Sequence, residues 1–269
     1  MELRVKDILS KSEYACPDVM YYVATRFNLW SPNRGRKLGD ANWQKKYEDW
    51  CVDRMEELKN ICFPSLIKQK IMPHKWLILF DEVPVKKIHE QILRLEDKYD
   101  FIKIVFVSRP YGFENFQPIL SQELKLITPK DKLICTTRLD SDDSLNTYYF
   151  SLLDEVISIL RKDNSSISLP ICINFLFGFL RNLINNECVV FLNECNPMYS
   201  LLEENNSTLM TPYYGIHKKI DRIVKTINIS TDRPMWLQNN TENNITTRGY
   251  SHLIKVDNFD NYKNLFGFR

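Results

Sequence analysis

Glycine is scarce in this sequence: seven residues in 269, at positions 35, 39, 112, 178, 215, 249 and 267. None of them forms GxGxxG or GxxxxGK[ST]. Without such glycines the backbone has no tight turn to lay against a pyrophosphate, so dinucleotide oxidoreductases and P-loop NTPases lose their main signature. An excess of one charge is also missing. The 36 Lys and Arg against 34 Asp and Glu leave a net charge of +2, which excludes a nucleic-acid binder built on a general phosphate-attracting field. Any anionic ligand must be held by a few local groups. The seven cysteines, at 16, 51, 62, 135, 172, 188 and 195, are odd in number and contain no CxxC pair. Neither a disulfide framework nor a zinc ribbon is suggested, and a reducing interior fits best.

Long hydrophobic runs are absent too. No stretch reaches the roughly 18 to 20 apolar residues that span a bilayer. The most apolar window, residues 167–180, contains Pro170 and Asn174 and stops at Arg181, so it reads as sheet interior. The opening stretch MELRVKDILSKSEYACPDVM carries no apolar signal-peptide core. The expectation is a soluble, cytoplasmic protein without a transmembrane segment.

What is present is ordinary globular material, 44% hydrophobic and 26% charged, enough for a sizeable core. With no repeat, low-complexity tract or Pro/Gly/Ser-rich linker, the chain reads as one domain over 1–269, in two halves of about 18–145 and 146–269. Residues 19–24 (VMYYVA) read as a strand that delivers Thr25, Arg26 and Asn28 to its carboxyl edge. Trp43, Tyr47, Trp50, Cys51, Met55, Leu58, Ile61 and Cys62 recur at helical spacing after a candidate N-cap at Asp40, with Pro64 as a break. A short helix at 65–69 leads to the run 76–80 (WLILF), a strand buried on both faces and closed by Asp81 and Glu82. A helix over 85–99, strands over 101–107 and 132–137, and a helix carrying the stripe Leu145, Tyr148, Tyr149, Leu152, Val156 and Leu160 follow. Strands are expected at 173–180 and 188–192, joined around Asn185, Asn186 and Glu187, and the polar region beyond Asn193 gives no clear pattern. Alternating strands and helices predict an α/β protein with a mostly parallel central sheet flanked by helices.

The strongest chemical signal is Thr137-Arg138-Leu139-Asp140-Ser141-Asp142-Asp143, three carboxylates in four residues after an apolar strand. Like charges so close repel unless a cation neutralises them. Hard oxygen ligands suit Mn²⁺ or Mg²⁺, which complete their shells from water and substrate phosphates. A DxD tripeptide also arises by chance, and Asp142 or Asp143 is equally suited to cap the next helix.

Four blocks together resemble a known family. Thr25-Arg26-Phe27-Asn28, Phe63-Pro64-Ser65-Leu66 with Gln69, Trp76-Leu77-Ile78 with Phe80-Asp81-Glu82, and Thr136 to Leu145 are similar, in order and spacing, to the blocks of the putative rhamnosyltransferase family. Weaker likeness continues through Asn196-Pro197, Ser200 to Glu203, Gly215-Ile216-His217, Trp236-Leu237-Gln238 and Asn244 to Arg248. Ser141 stands where the pattern has Asn, and Thr241-Glu242-Asn243 where it has a glycine-containing stretch. Ser65-Leu66-x-x-Gln69 before a strand ending in Asp81 is also similar to the opening of GT-A glycosyltransferases.

The resemblance implies a GT-A fold with a Rossmann-like sheet, residues 18–145 as the donor half and 146–269 as the acceptor half. It implies a metal-dependent glycosyltransferase that moves a hexose or L-rhamnose, with inversion, from a UDP-, dTDP- or GDP-sugar to a glycan or glycolipid. In that reading Asp142 is the direct ligand of the Mn²⁺ or Mg²⁺, Asp140 holds the ribose or reaches the metal through water, and His217 is a late metal ligand or a phosphate contact. Thr25, Arg26, Asn28, Asp81, Arg109, Arg138 and Asp140 surround the donor. Asp143 completes the shell or orients a ligand in the catalytic centre. Glu203 is the first candidate for general base because it falls in a matching block, with Asp154, Glu155 and Glu194 behind it. Trp236, Gln238, Asn244 and Arg248 are candidates to line the acceptor or to close over the donor, although Trp236 suits a core equally. Two other readings stand beside the transferase. One is an idle GT-A-like domain that binds carbohydrate or acts as a scaffold; the other is a metal-dependent phosphohydrolase, for which further carboxylate and lysine motifs are missing.

Overall fold

A computed structural model of the chain describes residues 2–5, 14–29, 43–82, 85–108, 113–163, 168–206, 208–214, 217–241 and 253–268. The first half alternates strand and helix. β1 (Glu2–Val5) and β2 (Val19–Arg26) precede α1 (Trp43–Glu57), which passes through a π-helical turn at Leu58–Cys62 into α2 (Phe63–Ile67). Then come β3 (Lys75–Asp81), α3 (Lys86–Lys98), β4 (Ile102–Val107), α4 (Phe113–Ile127), β5 (Leu133–Arg138), the short β6 (Ser144–Leu145) and α5 (Tyr149–Asp163). Pro64 does not break the helical course as expected. It occupies the first turn of α2, where its missing N–H has no helical acceptor to lose.

The strand sequences explain why the sheet is covered on both sides. In β3, Trp76, Ile78 and Phe80 enter one core with Tyr47 of α1, Ile88 and Ile92 of α3 and Val156 of α5. The intervening Leu77 and Leu79 enter a second core with Leu120 and Leu124 of α4. Period-two alternation thus feeds two helical layers, and the continuous apolar run follows from it.

In the second half, β7 (Ile171–Phe175), β8 (Phe177–Asn182), β9 (Cys188–Leu192), β10 (Ser200–Glu204), β11 (Lys225–Thr231) and β12 (Trp236–Asn240) accompany 3₁₀ turns at His217–Arg222 and Phe259–Phe266. The main sheet has eight strands in the order β1-β11-β7-β10-β5-β2-β3-β4. Every neighbouring pair is parallel except those of β10, which is antiparallel to β5 and β7. The mostly parallel α/β sheet flanked by helices is therefore what the chain forms. Among the described residues no helix is long and apolar enough to cross a membrane.

The strand expected over 173–180 is in fact two. β7 lies in the main sheet, while β8 crosses after Leu176 to a second sheet of order β6-β12-β8-β9. Gly178 permits that sheet to close: a Cβ there would stand 2.1 Å from the Trp236 ring. Trp236 is fully buried and donates its indole N–H to the Phe175 carbonyl at 2.8 Å, so it belongs to the core. The chain's last 3₁₀ turn docks Phe259 and Phe266 on Phe179. Gly267, at φ 76°, lies against the backbone of Pro64, where the left-handed conformation and the lack of room both require glycine.

Candidate functional site

The carboxyl ends of β2, β3 and β5 lie side by side, and open α/β sheets present ligands with that edge. β2 ends in Arg26 and β5 in Arg138. Arg138 reaches Asp140 two residues on, with Nη2 3.0 Å from Oδ2, and Arg26 approaches the same carboxylate at 3.9 Å. Both guanidiniums also lie over the Tyr213 ring, 5.2 and 5.3 Å from its centroid. The Tyr213 hydroxyl donates to the Ala24 carbonyl at 2.9 Å and accepts from the Arg26 amide at 3.1 Å, which pins the ring to the end of β2. Burial would raise the Asp140 carboxyl, but Arg138 and Arg26 outweigh it and hold it well below the usual range. This end of the site is open: the Arg26 and Asp140 side chains are 29% and 26% exposed.

The rest of the acidic turn is closed. Arg54, from α1, grips Asp142 with both nitrogens, Nη1 to Oδ2 at 2.9 Å and Nη2 to Oδ1 at 3.1 Å. The same Nη1 donates to Glu57 at 2.9 Å, and the guanidinium lies 5.9 Å from the Trp50 ring centroid. These side chains are only 11% and 8% exposed. Asp143 accepts the Asn239 amide at 2.9 Å, and Asn239 returns a side-chain bond to the Asp142 carbonyl at 2.8 Å. Burial, with the charges of Asp142 and Asp140, pushes the Asp143 carboxyl well above its ordinary range. The turn, closed by Asp143 N–H to Asp140 O at 3.1 Å, is thus the joint between the main sheet and β12 of the second.

The turn is braced from below by α2. Ser65 Oγ accepts the Leu145 amide at 3.2 Å, and Gln69 Nε2 donates to the Asn146 carbonyl at 2.8 Å. These contacts give the Ser65-x-x-x-Gln69 spacing a physical reason: Gln69, just beyond the end of α2, folds back to donate to the Ser65 carbonyl at 2.7 Å, which brings both side chains to the turn. On the far side, Asp81 is fully buried at the end of β3. It accepts the Tyr47 hydroxyl at 2.8 Å, while its amide donates to Asn28 Oδ1 at 2.7 Å.

The donor set was weighed against the expected divalent ion. Both oxygens of Asp142 are engaged by one guanidinium, Asp140 is shared by two more, and Asp143 ties the sheets together. Among the described residues no group of three or more His, Cys, Asp or Glu is arranged to hold a metal. The residues as placed do not fit a Mn²⁺ or Mg²⁺ site.

Comparison with known proteins bears on the chemistry. A family model described as "Putative rhamnosyl transferase" matches residues 24–252. The chain belongs to this family. No curated protein matches it by sequence. Among solved structures it is similar to that of S. aureus TarS 1-349, at 9% identity and a TM-score of 0.42, over 82% of this chain and 60% of that one. A structure of S. aureus TarS gives 8% identity and a TM-score of 0.41, over 83% and 37%. The chain therefore spans less than two thirds of either.

Of the residues singled out in the sequence, Arg26, Asn28, Asp81, Arg138, Asp140, Asp142 and Asp143 do converge at one sheet edge. Others do not. Thr25 turns into the core, where its hydroxyl accepts the Trp76 indole N–H at 2.8 Å. Glu203 is paired with Ile134, four residues short of the end of β5, because β10 runs against its neighbours and carries that residue toward the opposite edge. There it accepts the Met210 and Thr211 amides at 2.6 and 3.1 Å. Asp154 is likewise structural, accepting from Ala15, Cys16 and Tyr21. Arg109, Asn244, Arg248 and the side chain of His217 lie outside the described residues. Arg54, Tyr47 and Tyr213 were missed. The first two sit among helix positions that read as core, and Tyr213 lies in the region without a periodic pattern.

Proposed function

We propose that this glycosyltransferase takes its sugar from a nucleoside-diphosphate donor at the carboxyl edge of β2, β3 and β5. L-rhamnose is the first donor sugar to test because of the family. The observation that carries the reading is the pair Arg26 and Arg138, two guanidiniums sharing one carboxylate and one aromatic ring, with Arg26 at the open end of the site and Arg138 buried behind it. Guanidinium geometry suits bidentate contact with phosphate oxygens.

As the glycosidic bond to phosphate breaks, negative charge grows on the leaving diphosphate. Fixed donors already in place stabilise it without reorganisation. Asp140 holds the two arginines together, Tyr213 supports them from beneath, and the buried group of Asp81, Asn28 and Tyr47 fixes the neighbouring strand end behind the nucleoside. The acceptor is a glycan or glycolipid hydroxyl, and inversion at the anomeric carbon is the stereochemical reading.

The test is donor turnover. UDP-, GDP- and dTDP-sugars, including dTDP-L-rhamnose, are incubated with the full chain and an acceptor panel, and released nucleoside diphosphate and product anomer are read by chromatography and NMR. Release from one donor, reduced at least about tenfold in Arg138→Met, is expected from the loss of a charge-assisted contact. Binding of glycans without release from any donor would instead favour an idle carbohydrate-binding domain.

A further inference from the structure

We infer that Arg54 takes the place of a divalent cation at the acidic turn, so that the donor is bound without Mn²⁺ or Mg²⁺. The inference rests on the donor reading above and names what balances the charge of the turn. Asp142 is the carboxylate that the sequence pattern assigns to a metal. Its two oxygens are instead taken by the two terminal nitrogens of a single guanidinium, at 2.9 and 3.1 Å. That guanidinium is not a passing surface contact. It is fixed by Glu57 one helical turn on, lies against Trp50, and belongs to a side chain only 11% exposed.

A divalent ion binding Asp142 would have to break this bidentate pair and then sit beside a buried positive charge. It would gain little from the neighbours. Asp140 is already shared by Arg26 and Arg138, and Asp143 accepts the Asn239 amide that joins the second sheet to the turn. Each carboxylate of the motif is thus committed to an arginine or to the sheet junction. Asp140 and Asp142 become positioning residues: Asp140 spaces the two arginines that receive the diphosphate, and Asp142 anchors α1 through Arg54. The DxD spacing is kept while its partner changes from an ion to a side chain.

The experiment measures uptake of Mn²⁺ alone by the full chain, from the electron paramagnetic resonance signal of the free ion. Binding of UDP, GDP and dTDP is then measured calorimetrically in EDTA and in Mn²⁺. The expected result is no stoichiometric Mn²⁺ uptake, with one nucleoside diphosphate binding within about threefold of the same affinity in both conditions. Uptake of one ion per chain, or nucleotide binding only with metal, overturns the inference and leaves the donor reading standing. If no nucleotide binds in either condition, the donor reading falls and takes the inference with it. Arg54→Met, which releases Asp142, is expected to acquire Mn²⁺ uptake and to be stabilised by the ion. A folded Arg54→Met that takes up none shows that Arg54 is not what fills the place of the cation. Should that variant fail to fold, the wild-type uptake and nucleotide data decide.

Discussion

The Arg54 and Asp142 pair makes a stability prediction that does not depend on any ligand. Removing one partner of a buried ion pair leaves the other charge without compensation, at a cost of about 3 to 5 kcal/mol. The two ends differ here. Arg54 keeps Glu57 at 2.9 Å when Asp142 is changed, whereas Asp142 has both carboxylate oxygens on Arg54. Arg54→Met should therefore cost about 3 to 5 kcal/mol and Asp142→Asn about 1 to 3, which is the smaller loss of hydrogen bonds to a charged group. For a domain of this size 1 kcal/mol moves Tm by about 2 to 4 °C, so Arg54→Met should melt on the order of 10 °C lower. The assay is urea unfolding of both single variants and the double variant, followed by fluorescence. Because the residues touch, the double-mutant cycle should return a coupling of about 1 to 3 kcal/mol. Additivity within about 0.5 kcal/mol, or an Arg54→Met cost below about 1 kcal/mol, would refute the pairing.

Four further predictions follow from the same geometry. Tyr213→Leu removes the ring beneath two guanidiniums, each contact worth about 0.5 to 1 kcal/mol, so nucleoside diphosphate affinity should fall about tenfold by calorimetry. Tyr213→Phe keeps the ring, and equal losses in the two variants would count against stacking. Burial raises Glu203 from 4.5 to about 7 against the pull of two backbone amides. Its protonated form therefore favours the fold, with a contribution of about 3 kcal/mol that is complete below pH 4.5 and lost as pH rises through 7. Glu203→Gln should flatten that part of the stability profile, and an unchanged slope refutes the assignment. Gly178→Ala drives a methyl into Trp236 and should cost about 1 to 3 kcal/mol or more in thermal unfolding, whereas a neutral effect would mean that the second sheet shifts freely. Asp154→Asn keeps one acceptor oxygen and turns the other into an NH2, so it gives up either the Ala15 amide bond at Oδ2 or the Cys16 amide and Tyr21 hydroxyl bonds at Oδ1 and should cost about 1 to 3 kcal/mol. A loss under 1 kcal/mol in urea would show that residues 14–16 do not depend on it.

The first half of the fold was legible because its strands are buried on both faces, so that runs such as 76–80 stand out against polar loops. The second half was not, for reasons that lie between elements. The run through 173–180 reads as one strand because nothing local marks Leu176 as the point where the chain leaves one sheet for another. One element of the first half also escaped the pattern: α4 carries Pro118 within it, which weakens a helical periodicity. The site divides the same way. Arg26, Asp81, Arg138 and the acidic turn are strand-end residues, and the parallel topology brings strand ends together. Glu203 came from a matching block, but direction along the strand decides which edge a residue reaches, and the antiparallel course of β10 is a property of the sheet. Arg54 lies on a helix whose apolar stripe explains its neighbours, and only the packing of α1 against the turn gives it Asp142 as a partner.

The position of the turn bears on how its variants are to be read. Leu139 donates to the Ala24 carbonyl of β2, and Asp142 and Asp143 bond Asn239 of β12. The same few residues therefore join the two sheets and anchor the arginines. An inactive Asp142→Ala or Asp143→Ala would consequently carry little information, because loss of the joint and loss of a ligand both abolish activity. Arg26 is the cleaner probe: it is part exposed, it ends its strand, and Arg138 still holds Asp140 without it. If the open end of the site receives the diphosphate, Arg26→Met should weaken nucleotide binding about tenfold while the urea midpoint moves by no more than an exposed ion pair is worth, about 1 kcal/mol. Equal affinity in that variant would remove the open arginine pair from the donor site, and with it the reason to place the diphosphate there.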